Sequence, residues 1–197
     1  VLFRLLSLSQ IVLIIGIGGT TFFGGCCLIK GEEVFPRDFL HPSVVIRGLA
    51  EVTAALFMVN ALALTPLSLV TSVTQAGPLV VAIGAAVIFR EKVGWRRWCA
   101  ILTGLAGVLI ILRPGTEGFD GFALLAVGAM LALAARDLAT RATPKTLSNL
   151  QLATVGFLSF YVAALVLLPF TEPWSMPNKS QIALLALAIV PTIGGYY

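Results

Sequence analysis

The sequence predicts an all-α membrane protein, a polytopic bundle whose helices cross the bilayer one after another. Apolar stretches of about 20 residues, the length that spans about 30 Å of hydrocarbon, fill nearly the whole chain. Of the 197 residues, 58% are hydrophobic and only 11% are charged, and the mean hydropathy is +1.00. This composition is too apolar for a soluble domain. The apolar runs are continuous rather than alternating, which argues against membrane-spanning β-strands.

Seven helices are expected, and a charged or proline-containing gap separates each from the next. Lys30 lies in the gap after the first helix, only Thr65-Pro66 separates the second from the third, and a charged segment at 90–97 follows the third. The predicted helices are residues 1–28, 45–64, 67–89, 93–112, 122–139, 150–170 and 181–197. The chain opens and closes inside apolar runs, so we expect it to be part of a longer protein.

Basic residues mark alternate gaps between the predicted helices. The first, third and fifth gaps hold ten of the thirteen Lys and Arg residues. Basic residues in short loops stay in the cytosol, so these three gaps are expected to face it. Topology and anionic lipid headgroups therefore explain the net charge of +4, and no nucleic-acid partner is expected. Trp95 and Trp98 flank Arg96-Arg97 at the entrance of the fourth helix, where aromatic side chains anchor a helix at the interface.

The cysteines and the single histidine predict neither a metal site nor a cofactor site. Cys26 and Cys27 are adjacent, so on a helix they point in different directions, and the cytosolic side is reducing. They are interpreted as small packing residues. His41 precedes Pro42, far from any cluster, and a solvated loop histidine is preferred there to a proton relay. We expect no metal and no cofactor.

Ionisable residues inside the predicted helices are the first candidates for a functional site. An ionised group at mid-helix costs about 2.5–3.5 kcal/mol on insertion scales, so its presence needs a reason. Arg47 and Glu51 are spaced i,i+4 on the second helix and can pair on one face. Two interpretations stay open. The pair contacts a polar solute from the cytosolic vestibule, or Arg47 reaches to the interface and Glu51 is its structural counter-ion.

Polar residues deeper in the second and third helices extend this candidate site. Asn60 either lines a cavity or bonds to a neighbouring helix. In the third helix Pro78 has no N–H, so the carbonyl of Thr74 loses its helical partner and the helix is expected to bend or open there. A freed carbonyl beside Gln75 is typical of a midplane transport site, and a simple packing kink is the alternative. Thr74 and Gln75 are adjacent, so at most one of them faces a cavity.

Arg136 and Asp137 lie near the cytosolic end of the fifth helix. Asp137 and Arg141 are spaced i,i+4 and are expected to pair. Interface electrostatics is one interpretation, and a cytosolic gate formed with Glu51 is the other. Small residues also recur at the spacing of helix contacts and predict a compact bundle, at Ala82 and Ala86, Ala100 and Gly104, and Gly128 and Ala132.

Four segments and one helix start resemble a known family of membrane proteins. They read LALTPLSL at 62–69, AGPL at 76–79, FREKVGWRRW at 89–98 and GLAGVLIILRPG at 104–115, with Arg47-Gly48 opening the second helix. Together they resemble the EamA-type family of the drug/metabolite transporter superfamily. The resemblance extends over nearly the whole chain and is strongest between Arg47 and Gly115.

The resemblance implies a fold of ten helices in two inverted five-helix repeats, of which this chain holds seven. Residues 1–120 are then the first repeat without its first helix, and residues 121–197 are the second repeat, truncated after its third helix. The resemblance also implies a secondary transporter that moves a small metabolite or drug-like solute across the cell inner membrane by alternating access.

The solute is expected between the repeats, near the residues named above. Those in contact with it are taken to be Glu51, Asn60, Thr74, Gln75 and Pro78, with Arg47, Arg136 and Asp137 setting topology or gating. Membrane lipids are expected partners, and the sequence leaves the oligomeric state open, with a homodimer as one option. The sequence leaves two other classes as alternatives, a membrane-embedded lipid-modifying enzyme and a membrane assembly partner that transports nothing.

Overall fold

The computed structural model describes residues 8–112 and 121–167, and within these ranges the chain is helical with no strand. A short 3-10 helix, Arg37–Leu40, precedes the second α-helix. The seven α-helices of the described ranges are α1 Leu8–Ile29, α2 Pro42–Leu64, α3 Leu67–Thr74, α4 Gly77–Ile88, α5 Trp95–Leu112, α6 Ala123–Arg141 and α7 Asn149–Leu167.

Five helical segments of the described chain are long and apolar enough to cross a membrane, with α3 and α4 counted together as Leu67–Ile88. The apolar part of α7, Asn149–Leu165, is shorter. The predicted all-α, multi-pass membrane architecture is therefore confirmed. The last predicted helix, 181–197, and most of the gap between α5 and α6 lie outside the described residues.

The second helix begins at Pro42, three residues before the predicted start at 45. Proline suits this position because its fixed φ fits a helix and its missing N–H would be unbonded there in any case. The carbonyl of His41 accepts the N–H groups of Val44 and Val45, at 2.9 and 3.2 Å. The side chains of His41 and Ser43 also meet, with 2.7 Å between Nδ1 and Oγ. Capping chemistry thus sets this helix start, and a hydropathy pattern contains no information about caps.

The described chain divides into two compact units, residues 8–48 with 143–167 and residues 49–142. In the first unit, α1 packs along α7. Two glycines make this close approach feasible: a Cβ on Gly16 would lie 2.6 Å from the backbone N of Tyr161, and one on Gly19 would overlap the Phe157 ring. Phe157 stacks on Phe23 with 5.5 Å between ring centroids, and both rings are buried. The core of this unit lies between these two helices.

The start of α7 is tied to the loop that follows α1. Ser148 and Gln151 form a reciprocal capping box, in which the Gln151 N–H donates to Ser148 Oγ (3.2 Å) and the Ser148 N–H donates to Gln151 Oε1 (2.9 Å). Three further hydrogen bonds cross to the loop, from Ser148 Oγ to Glu32, from Gln151 Nε2 to the Glu33 carbonyl and from Thr146 Oγ1 to Asp38. The first and fifth gaps therefore meet at one end of this unit, as the charge pattern predicts.

In the second unit, both α3 and α4 pack on α6 and on α5. Its buried core consists of Ala61, Val70, Val73, Ala76, Ala126 and Met130. Two of the small residues predicted at helix contacts are close to a neighbouring helix. A Cβ on Gly104 would overlap Leu79, and one on Gly128 would lie 3.2 Å from the Phe57 ring. The boundaries of the compact units differ from those of the predicted repeats at 1–120 and 121–197. The repeats concern duplication of sequence rather than compactness, and they stay a prediction.

Candidate functional site

The second unit holds an ion pair between α2 and α6. Glu51 is buried, with 5% of its side chain exposed, and its Oε1 lies 3.0 Å from Nη1 of Arg136. A second contact joins Phe57 on α2 to Gly128 on α6. Between the two contacts the residue number increases along α2 and decreases along α6, so the two helices run antiparallel. Glu51 is nine residues past the start of α2, about 13 Å along its axis, well inside the helix. A buried carboxylate at that depth needs a cation, and Arg136 supplies it.

Arg136 also binds the carboxylate next to it in sequence. Its Nε and Nη2 lie 3.0 and 2.8 Å from Oδ1 of Asp137. The structure thus pairs Asp137 with Arg136, where the spacing predicted Arg141. Arg141 instead lies 3.6 Å from Glu91, at the beginning of the third gap. The Cα–Cβ bonds of adjacent residues point in different directions on a helix. The Arg136 side chain is long enough that its guanidinium still reaches the Asp137 carboxylate.

This charged cluster of Glu51, Arg136 and Asp137 runs from a buried carboxylate to a half-exposed one. About 26% of the Arg136 side chain and 48% of the Asp137 side chain are exposed. Arg136 is therefore shared between an interior and an exterior partner. Hydrogen bonds between ionised groups are stronger than neutral ones, so this cluster holds α2 on α6 and presents charge to the surroundings at the same time.

Arg47 lies in the other compact unit and is buried rather than reaching to the interface. It donates from Nη1 to the Leu152 carbonyl of α7, at 3.1 Å. The next residue is Gly48, and a Cβ there would overlap the hydroxyl of Ser159, which is also in α7. The start of α2 is thereby fixed to α7. The interpretation of Arg47 as a snorkelling side chain is wrong, and its predicted pairing with Glu51 stays a prediction.

The break at Pro78 is confirmed. α3 ends at Thr74 and α4 begins at Gly77, and the N–H of Ala76 bonds to the carbonyl of Val73 three residues back, at 3.1 Å. Pro78 offers the Thr74 carbonyl no N–H. Gln75, in this break, is exposed, and its side-chain amide makes no hydrogen bond to the described residues. The Thr74 hydroxyl donates a hydrogen bond to the Val70 carbonyl of its own helix, at 2.9 Å. Of the adjacent residues Thr74 and Gln75, Gln75 is therefore the one whose side chain faces outward.

Asn60 is exposed, and its Nδ2 donates to the Leu56 carbonyl on its own helix, at 2.8 Å. It lies nine residues beyond Glu51, about 13 Å along α2, so the two do not form one cluster. Sequence reasoning overlooked several buried polar residues, among them Gln10 in α1 and Thr154 in α7. A polar side chain in an otherwise apolar helix is the signal that would have found them. No metal-binding group of three or more His, Cys, Asp or Glu occurs in 8–112 or 121–167.

Comparisons with known proteins agree on one family. Residues 2–113 match the EamA-like transporter family. The S-adenosylmethionine uptake transporter of Rickettsia prowazekii (strain Madrid E) is 29% identical over 150 residues, 76% of this chain and 49% of that protein. The riboflavin transporter of Vibrio cholerae is 34% identical over 118 residues, 57% of this chain and 37% of that protein. The riboflavin transporter of Rhizobium johnstonii is 28% identical over 139 residues, 71% of this chain and 46% of that protein.

The chain spans half the length, or less, of these curated relatives. No solved structure matches it. The relatives are named as transporters and not as enzymes. Because the family match at 2–113 covers more than half of the residues, this chain belongs to the EamA-like transporter family.

Proposed function

We propose that this chain is part of a secondary transporter that moves a small metabolite across the cytoplasmic membrane by alternating access. Membership of the EamA-like transporter family and the names of its relatives support transport of a metabolite. The alternation of basic gaps with gaps that hold at most one Lys or Arg supports an orientation with the first, third and fifth gaps in the cytosol. In bacteria that membrane is the inner membrane.

The observation that carries the proposed site is the buried Glu51–Arg136 pair. Ionisable residues within membrane-spanning helices mark solute and ion pathways by default, because an uncompensated charge there is costly. Asp137 already shares Arg136 with Glu51, so the guanidinium is not committed to a single partner. An anionic group of the solute replaces Asp137 on the guanidinium: the half-exposed Asp137 carboxylate is then solvated, and the buried Glu51 keeps its cation. Glu51 and Arg136 are thus proposed to bind the solute, with Asp137 as the outer partner in a gate.

The helix break at Gln75 is proposed as a second contact surface for the solute. Broken helices line the substrate sites of transporters, where unwound backbone offers polar groups at membrane depth. Gln75 is exposed at the break, and Pro78 keeps the neighbouring carbonyl from a helical bond. The buried residues Val73 and Ala76 fix this segment on α6. Asn60 is the third proposed polar contact, on the outer part of α2.

Uptake measurements on variants test the ion pair. The protein is reconstituted into liposomes, and uptake of S-adenosylmethionine, riboflavin and a panel of other metabolites is measured to find the solute. Glu51→Gln removes one hydrogen bond between charged groups and Arg136→Gln removes three, so each variant loses at least about 1.5–3 kcal/mol. We therefore expect uptake at low solute concentration to fall about 10- to 100-fold. Glu91→Gln is the matched control, since its 3.6 Å pair with Arg141 is half-exposed and contributes little.

The reversed pair Glu51→Arg with Arg136→Glu distinguishes binding from packing. It keeps one cation facing one carboxylate but exchanges their positions. If uptake returns in this double variant, the pair only holds α2 on α6 and does not bind the solute. Equal uptake by Glu51→Gln and Glu91→Gln would contradict the site in the same way.

Thiol labelling at the helix break distinguishes a transporter from a membrane partner that transports nothing. Cys26, Cys27 and Cys99 are replaced by Ser, and Gln75→Cys is introduced. We expect a membrane-impermeant thiol reagent to reach this cysteine and the transported solute to protect it. A Gln75→Cys thiol that stays inert in every condition would place the break against packed protein or lipid, with no solute pathway beside it.

A further inference from the structure

The ends of three helices of the second unit form an exposed surface of unusual composition. We define the basic–aromatic patch as the residues at the end of α4, the start of α5 and the end of α6 that carry cations or large rings. These are Phe89, Arg90, Lys92, Trp95, Arg96, Arg97, Trp98 and Arg141, and all are exposed. The patch lies in one compact unit, and its residues come from two gaps with basic composition.

The patch keeps nearly all of its positive charge. Glu91 is the single carboxylate within its sequence from 89 to 98, and it faces Arg141 at 3.6 Å. Among the described residues no carboxylate lies within ion-pair distance of Arg90, Lys92, Arg96 or Arg97. The field of these four cations is therefore available to an anion from outside the protein.

Aromatic and apolar side chains adjoin these cations. Trp95 is 72% exposed, and the guanidinium of Arg96 lies over its ring, 5.7 Å from the centroid. Val87 and Ile88, at the end of α4, are also exposed. The segments Leu67–Ile88 and Trp95–Leu112 end and begin here, so the patch lies where a membrane-spanning segment leaves the hydrocarbon. Exposed tryptophan beside exposed cations is the composition that suits the headgroup region.

We infer that the basic–aromatic patch is a binding site for the headgroup of an anionic phospholipid. The phosphate and any further negative charge of the headgroup lie against Lys92, Arg96 and Arg97. The acyl chains lie along the exposed apolar end of α4, and the two tryptophans occupy the level of the glycerol backbone. A soluble phosphate matches the cations equally well but leaves the tryptophans and Ile88 without a partner, which is why a lipid is preferred.

Tryptophan quenching by brominated lipids tests this inference. Within this sequence Trp174→Phe leaves Trp95 and Trp98, both in the patch, as the fluorescent tryptophans. This variant is reconstituted in mixtures of phosphatidylcholine and phosphatidylglycerol, with one or the other brominated, and the ratio of the two binding constants is measured. Each exposed cation near an anionic lipid surface contributes roughly fivefold to the attraction. We expect several-fold preference for phosphatidylglycerol, and a ratio near one in the triple variant Lys92→Gln/Arg96→Gln/Arg97→Gln.

Three controls make the result decisive. Lys30→Gln/Arg37→Gln/Lys145→Gln removes the same charge from exposed positions of the other unit and should keep the preference. Arg96→Lys keeps the charge and should also keep it. Glycerol phosphate in solution should not displace the lipid, since it lacks the acyl chains.

The inference is overturned if the parent protein shows no preference for phosphatidylglycerol over phosphatidylcholine. It is also overturned if the two triple variants lose that preference equally, which would indicate diffuse surface charge. Displacement by glycerol phosphate would assign the patch to soluble anions. The assay reads lipid binding rather than uptake, so its failure is separate from failure of the transport proposal.

Discussion

The close approach of α1 and α7 makes a sharp prediction at Gly16. Its absent Cβ is what lets the Tyr161 backbone approach, since a Cβ there would lie 2.6 Å from the Tyr161 N. Overpacking typically costs 1–3 kcal/mol, and the upper end, about 3 kcal/mol, applies where backbone must move. Alanine is favoured over glycine within a helix by about 1 kcal/mol, which offsets part of this cost. We expect Gly16→Ala to destabilise the protein by about 2 kcal/mol.

Gly25→Ala is the matched control on the same helix, because a Cβ at Gly25 meets nothing within 4 Å. This variant keeps the propensity gain without the clash, so it is expected to be as stable as the parent or more stable by up to about 1 kcal/mol. Both are compared by detergent-induced unfolding in mixed micelles, followed by circular dichroism. Equal stability of the two variants would refute the close helix contact at Gly16.

Three further predictions concern backbone and capping features. Arg90 has a left-handed φ of 54°, so Arg90→Gly should stabilise the protein by up to about 1 kcal/mol in the same unfolding assay, whereas Lys92→Gly should not. Ser148→Ala removes the acceptor of the Gln151 N–H and should cost about 1 kcal/mol, and Ser148→Thr should restore most of it; a neutral alanine variant would contradict the capping box. Pro78→Ala supplies the missing N–H, so hydrogen exchange at the α3–α4 break should slow and uptake should fall; unchanged exchange would show that proline does not keep the break open.

The sequence predicted the parts of the fold that depend on local composition. Apolar run length located the helices, and the missing N–H of Pro78 predicted the division of the third one. The bond of Gln151 to the first loop agrees with the expectation that the first and fifth gaps lie on one side. The helices and the break need only neighbouring residues in the chain, and the side of each gap needs only its count of basic residues, which is why pattern and elementary chemistry were sufficient.

The remaining features depend on which distant helices meet. Nothing in the local pattern of α1 shows that Gly16 meets Tyr161, since glycines are common throughout this chain. The sequence left open whether Arg136 meets Glu51, and the packing of α2 on α6 brings the two together; the gate that they were predicted to form stays a prediction. The Arg136–Asp137 contact was missed because helical spacing rules describe Cβ directions and not the reach of a long side chain.

The division into two units has a consequence for synthesis. Residues 49–142 are contiguous, so the second unit has all its helices once Ala142 has left the ribosome. The first unit is interrupted: Cys27 and Thr154 of its core lie 127 positions apart, which corresponds to about 6–25 s of translation at 5–20 residues per second. Throughout that interval Gly16 and Gly19 of α1 lack the contacts that Tyr161 and Phe157 of α7 supply in the folded unit. Ribosome stalling or truncation before α7 should therefore leave α1 accessible to quality-control proteases, while the second unit is already assembled.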